Sequence, residues 1–167
     1  MADARCVDCF LKTYHRLFQK YGVAEMQQQK FLDYFHRVIV NQNFENSPII
    51  QRDLNIAFCD IIEIADPFAE EKEESNRVAL GLYRMWKEQV IDADNPFGMA
   101  LRLAIAGNIM DYGASNSFDI NGTVKRVLNA DFAIDHSAQL KERIAKAQRI
   151  LYLGDNAGEI VFDRLFI

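Results

Sequence analysis

Apolar residues recur at helical spacing through the first two thirds of the chain. Leu11, Tyr14, Phe18 and Tyr21 share one face of a helix that Asp8 can cap and Gly22 can end. A second helix is predicted from about Glu25 to Gln42, carrying Phe31, Tyr34, Phe35, Val38 and Ile39. Ser47-Pro48 reads as the cap and first position of a third, with Ile50, Leu54, Ala57, Phe58, Ile61 and Ile62 inward to about Ala65. Asp66-Pro67 breaks it. The run Glu70-Glu71-Lys72-Glu73-Glu74 opens a fourth helix through Leu80, Tyr83, Trp86 and Val90. Acid at a helix start suits the macrodipole, and such a run reads as a solvated face rather than a partner site. Asp94-Asn95-Pro96 starts a fifth helix that ends near Gly113.

From about residue 114 the texture changes. Ala114 to Ser117 reads as a loop, followed by a short helix near Gly122 to Asn129. Phe132-Ala133-Ile134 is a brief strand candidate, and Asp135-His136-Ser137 can cap a helix through about Ala147. Ile150-Leu151-Tyr152-Leu153 is an unalternating apolar run, the pattern of a strand buried on both faces of a parallel sheet. A final helix is expected over Ile160 to Ile167. The expectation is therefore a helical domain over 1–113, then the start of a Rossmann-like α/β three-layer domain over 114–167. A lone buried strand lacks neighbours, so the chain reads as the front part of a longer protein with an incomplete sheet and active site. The open edge of that sheet would offer pairing to a second copy.

Composition narrows the classes. Half of the 167 residues are hydrophobic, which excludes a disordered chain. Lys plus Arg number 19 against 24 Asp plus Glu, for a net charge of −5, so no polybasic nucleic-acid surface is expected. No apolar run reaches the ~18 residues of a membrane span. The start lacks a signal-peptide pattern, and three cysteines are too few for a disulfide scaffold. A cytoplasmic setting without membrane partners follows as the expectation.

Three motifs could carry chemistry. The first is Gly154-Asp155-Asn156-Ala157-Gly158-Glu159, between the apolar run and the last helix. A carboxylate and an amide oxygen are hard ligands, suited to magnesium or manganese. Gly158 lets backbone approach a ligand, helix N–H groups can hold phosphate, and Glu159 could contact a metal-bound water or act as a base. Asp155 or Asn156 as a plain helix cap explains the same spacing. The pattern matches neither a GxGxxG fingerprint nor a phosphate-binding P-loop.

The second motif is Gly107 to Gly113. Asn108 and Asp111 continue the face formed by Phe97, Leu101 and Ala104. Either they tie the helix end to a loop or they line a cleft opposite the Asp155 turn. The third is Cys6-Val7-Asp8-Cys9. Two thiols at this spacing can be half a zinc site or a redox pair, but no second pair follows and Cys59 stands alone. A structural role is favoured. His15, His36 and His136 are scattered, and no nucleophile triad is legible.

Taken in order, these residues resemble the damage-control phosphatase family. The marks are Arg5 and Cys6 to Cys9, Asp66-Pro67-Phe68, Gly107-Asn108 with Asp111, and Asp155-Asn156 with Gly158-Glu159 and Phe162-Asp163 beyond. The likeness spans the whole chain and is greatest to the prokaryotic branch with the N-terminal CxxC. It implies a helical domain on a Rossmann-like domain, and hydrolysis of sugar phosphates or damaged phosphometabolites dependent on a divalent metal (Mg, Mn, Co or Ni). It implies Asp155 and Asn156 as metal ligands, with Asn108, Asp111 and Gly158 on the substrate side. Catalytic roles fall to Asp155, favoured as ligand over nucleophile, and to Glu159; Cys6 and Cys9 remain accessory thiols. The family's third ligand, an aspartate, lies on a later strand, and its phosphate-contacting basic residue lies farther on. This chain stops before both, so the fragment is expected to be inactive. A helical interaction module, or a nucleotide- or methyl-donor-binding transferase, are the competing readings.

Overall fold

The computed structural model describes residues 4–41, 47–109 and 120–167, and every regular element among them is an α-helix. The chain divides into two compact units, Met1–Pro67 and Phe68–Ile167. The boundary expected at 113/114 lies outside the described residues.

The first unit contains α1 (Ala4–Tyr21), α2 (Glu25–Asn41) and α3 (Ser47–Ile62). The apolar positions at helical spacing converge as an aromatic core. Tyr14, Phe18, Phe31, Phe35 and Phe58 are all buried. The Tyr14 and Phe31 rings lie 4.4 Å apart, and Phe31 meets Phe58 edge-on at 5.5 Å. The Tyr14 hydroxyl is satisfied by donation to Asn55 Oδ1 at 2.7 Å. Helix α1 ends as expected at Gly22, whose φ of 56° lets the Val23 N–H reach back to the Phe18 carbonyl at 3.0 Å. The same closure ends α3 at Ile62, before Ala65. There Glu63 takes the left-handed position with φ 59°, and the Ile64 N–H bonds Cys59 O at 3.1 Å. Asp8 does not cap α1, because the helix already runs from Ala4. Pro67 O accepts from the Tyr21 hydroxyl at 2.9 Å and from Lys20 Nζ at 3.3 Å, so the Asp66-Pro67 break is anchored to the end of α1.

The second unit contains α4 (Ala69–Ile91), α5 (Pro96–Ile109), α6 (Ile120–Asn129), α7 (Ser137–Lys146) and α8 (Glu159–Phe166). Asn95 caps α5 through its Oδ1, which accepts the Gly98 N–H at 3.0 Å, with Pro96 in the first turn. Ala79, Trp86, Leu103, Ala106, Val124, Val161 and Phe162 form the core. Helix α8 packs on α5 at closest range around Gly107. A Cβ there would stand 2.9 Å from Phe162 Cβ, so only glycine permits this approach. The buried residues of α5 are Ala100, Leu103, Ala104, Ala106 and Gly107, with Phe97 and Leu101 half-buried and Asn108 exposed.

The expected α/β start is overturned, because no strand occurs among the described residues. Phe132-Ala133-Ile134 is a bend. Its Phe132 ring lies under the Arg102 guanidinium at 4.3 Å, and Arg102 also donates to the Val127 and Ala130 carbonyls after α6. Ile150 to Leu153 has no regular structure, with Leu151 86% and Leu153 81% exposed. Apolar character asks for burial, whereas a strand also needs a neighbouring backbone to complete its hydrogen bonds. No described segment supplies one. The sheet edge expected to pair with a second copy is likewise absent among the described residues. No described helix is long and apolar enough to cross a membrane.

Candidate active site

Three helices of the second unit converge on the turn before α8. From α5, Asn108 Nδ2 donates to Glu159 Oε1 at 3.1 Å. The other oxygen, Glu159 Oε2, accepts the Asn156 backbone N–H at 2.8 Å and Asn156 Nδ2 at 3.2 Å. Asn156 Nδ2 also reaches Asp155 Oδ2 at 3.3 Å. From α4, Asn76 Oδ1 accepts the Gly158 N–H at 2.8 Å. Gly158 caps α8 with φ 82°, a conformation in which a side chain is strained.

Burial divides the carboxylates by task. Glu159 is 6% exposed and Asp163, one turn further on, 1% exposed. Asp155, in contrast, is exposed, and Asn156 half-buried. The three donors around Glu159 are what its burial requires. Asp163 Oδ1 accepts the Tyr152 hydroxyl at 2.8 Å, while its Oδ2 is buried without a partner. Burial, with a smaller push from Glu159, raises the Asp163 carboxyl above the usual range despite the Tyr152 bond. The Tyr152 hydroxyl is itself pushed up to about 12, first by burial and then by its bond to Asp163.

The turn thus joins Asp155, Asn156, Gly158 and Glu159 to Asn108 of α5. Asp111 lies outside the described residues. Cys6 and Cys9 belong to the other unit. Ser47 Oγ donates to Cys6 Sγ at 3.9 Å, and exposed Cys9 lines an open groove of about 550 Å³ with Lys12, Thr13, His15, Arg16 and Gln19. His136 precedes α7, and His36 meets Phe35 edge-on at 6.0 Å. Asn76, Tyr152 and the role of Asp163 escaped sequence reasoning. The available signal was Ser75-Asn76, an uncharged pair interrupting the charged start of α4.

The donor set fits a hard dication in kind. The Asn156 nitrogen faces the two carboxylates, so the other branch of its planar amide, the oxygen, is turned from them. An exposed Asp155 carboxylate adjoins it. Among the described residues no group of three or more His, Cys, Asp or Glu gathers as a metal cage. Two chain oxygens with the remaining positions left to water and phosphate is an arrangement that magnesium-like ions accept.

Fold and turn together define a helical unit that presents an acidic, internally braced turn at a helix start. Residues 2–167 match the family model described as Damage-control phosphatase ARMT1-like domain, and the chain belongs to that family. A damage-control phosphatase of Archaeoglobus fulgidus is 31% identical over 136 residues, covering 77% of this chain and 46% of that protein. One of Pyrococcus horikoshii is 36% identical over 104 residues, covering 61% of this chain and 35% of that protein. The crystal structure of a DUF89 family protein from Pyrococcus horikoshii shares the fold with a TM-score of 0.82 at 24% identity, over 99% of this chain and 58% of that one. The chain spans less than half the length of these two curated relatives.

Proposed function

We propose that this chain contributes the Asp155-Asn156 pair to a divalent-metal-dependent phosphatase acting on small phosphorylated metabolites. One observation carries the reading: Glu159 is buried, tied to Asn108, and grips both the backbone and the side chain of Asn156. That grip leaves the Asp155 carboxylate and the Asn156 amide oxygen as the turn's outward donors. Membership in a phosphatase family supports the reaction class.

Asp155 and Asn156 would hold the ion. Held there, a hard dication would supply charge neutralisation at the phosphoryl group and activation of water. Glu159 orients: with three donors on a buried carboxylate, it aims Asn156 rather than moving protons. Asn108 holds Glu159 in that rotamer from α5. Gly158 keeps the turn free of a side chain at the start of α8, where backbone N–H groups favour an anion.

The test is thermal stability of the chain with magnesium, manganese, cobalt or nickel, alone and with inorganic phosphate. Wild-type stabilisation that Asp155→Ala abolishes, with the metal-free melting temperature unchanged, is the expected result. A wild-type chain indifferent to all four ions would sink the proposal.

A further inference from the structure

We propose that Asn76 is a positioning residue for the metal-holding turn, setting the direction in which Asp155 and Asn156 present their oxygens. What the turn binds rests on the phosphatase reading; the hold itself rests on geometry alone. Asn76 Oδ1 receives the Gly158 N–H at 2.8 Å across 82 positions of sequence. Gly158 is the cap residue of α8 and has no side chain with which to brace its own turn. Val161 occupies the N3 position from which a capping-box glutamate would reach the cap N–H; it is apolar, so the bond to that N–H comes instead from a different helix.

The placement explains why the hold is directional. Two N–H groups of the turn are engaged by side chains: that of Asn156 by Glu159 and that of Gly158 by Asn76. Each N–H fixes the plane of its peptide group. The peptide groups entering Asn156 and entering Gly158 are therefore both pinned, and rotating either one forfeits a bond. Glu159 is tied to α5 through Asn108, and Asn76 is carried by α4. The turn is registered against two helices at once.

Asn76 is itself well anchored. Its neighbours Ser75 and Ala79 are buried, and the Ser75 hydroxyl is spent on Glu71 O at 2.7 Å. Asparagine has a short side chain with few rotamers, so little freedom separates the α4 backbone from the Gly158 amide. Its acceptor is also neutral. The turn already holds the carboxylates of Asp155 and Glu159, and a neutral acceptor braces it without adding a third charge. Partners of this kind behind metal ligands commonly tune affinity by about 10-fold or more.

Asn76→Leu keeps the size and removes the acceptor, whereas Asn76→Asp keeps an acceptor oxygen. Two readouts are taken on the chain: hydrogen exchange of the Gly158 amide by NMR, and the manganese concentration giving half-maximal thermal stabilisation. In Asn76→Leu, Gly158 exchange should quicken by about 10-fold and the manganese midpoint should rise by about 10-fold. Amides in the middle of α4 and α5 should not change. Asn76→Asp, which keeps the acceptor but adds a third carboxylate to the turn, should keep Gly158 protection near the wild-type level. Unchanged Gly158 exchange in Asn76→Leu overturns the proposal. Should Asn76→Leu fail to fold, Asn76→Ala decides: faster Gly158 exchange supports the hold, and unchanged exchange overturns it. A wild-type chain that ignores manganese defeats the phosphatase reading, while Gly158 exchange still judges the hold.

Discussion

Asn108, at the end of α5, and Glu159, at the start of α8, are joined by a 3.1 Å hydrogen bond across 51 positions of sequence. The bond couples two motifs that sequence spacing could only set side by side. It also determines what Glu159 does. A buried carboxylate held by Asn108, by the Asn156 backbone and by the Asn156 side chain is a strut, and Asp155 is left as the exposed acid of the turn.

Removing the strut's support should loosen the turn before it harms the fold. Asn108→Ala deletes one donor to a buried carboxylate. The expected cost is about 1 kcal/mol, the low end of the range because Asn108 is itself exposed. Chemical denaturation measures that loss. Metal-induced stabilisation should fall more steeply than intrinsic stability, since Asn156 loses its fixed aim. Equal losses in both would mean that Asn108 only supports packing.

Gly107 sets how near α8 can come to that strut. In Gly107→Ala, the new methyl would stand 2.9 Å from Phe162 Cβ and 3.5 Å from the Glu159 carbonyl oxygen. Alanine gains about 1 kcal/mol of helix propensity over glycine. Overpacking a fitted contact costs about 1–3 kcal/mol, and here both neighbours belong to helix α8, which cannot yield locally. Net destabilisation is expected, with the metal response reduced because Glu159 moves with α8. A more stable Gly107→Ala protein would show that the two helices can part freely.

Much of the helical layout was legible, because it depends on local periodicity. The apolar stripes of α2 and α3 located their buried faces, that of α1 found Tyr14 and Phe18 but missed buried Phe10 and Leu17, and Gly22 and Asn95-Pro96 marked helix termini correctly. The expected sheet was a misreading, since no strand occurs among the described residues. Ile150 to Leu153 reads as strand from its apolar run, yet pairing is a property of a second segment that the run does not contain. Asn76 escaped for a related reason. Its partner lies 82 residues away, and the uncharged Ser75-Asn76 pair marks a break in the acidic pattern of α4 without indicating what it bonds. At the turn, the motif residues were visible, but the division between buried Glu159 and exposed Asp155 required tertiary burial.

Glu63 offers a prediction remote from the site. It closes α3 in the left-handed region at φ 59°, where a side chain is strained and glycine is not. Glu63→Gly should therefore stabilise the first unit by about 0.5–1 kcal/mol, the relief of strain exceeding the added freedom of the unfolded chain. Its signature is a higher denaturation midpoint with an unchanged slope. The same substitution at Glu25, within the first turn of α2, should destabilise. Loss of stability in Glu63→Gly would show that the side chain makes a compensating contact.

Asp163 should give the second unit a distinctive pH dependence. Burial lifts its carboxyl above the value it has in the unfolded chain, and Glu159 adds to that shift. The folded state consequently binds a proton more tightly than the unfolded state does. Its contribution to stability is fully present below the unfolded pKa and is lost as pH rises through the raised folded value. Tyr152, pushed up to about 12, stays a hydroxyl donor to Asp163 throughout that window. Asp163→Asn keeps the acceptor for Tyr152 and cannot ionise. Melting temperatures of the two proteins across acid and neutral pH isolate the effect, since every other group titrates in both. Wild type should match Asp163→Asn at low pH and fall below it as pH rises. Parallel curves would mean that Asp163 carries its charge at no cost, and that the orphaned Oδ2 has found a partner in solution.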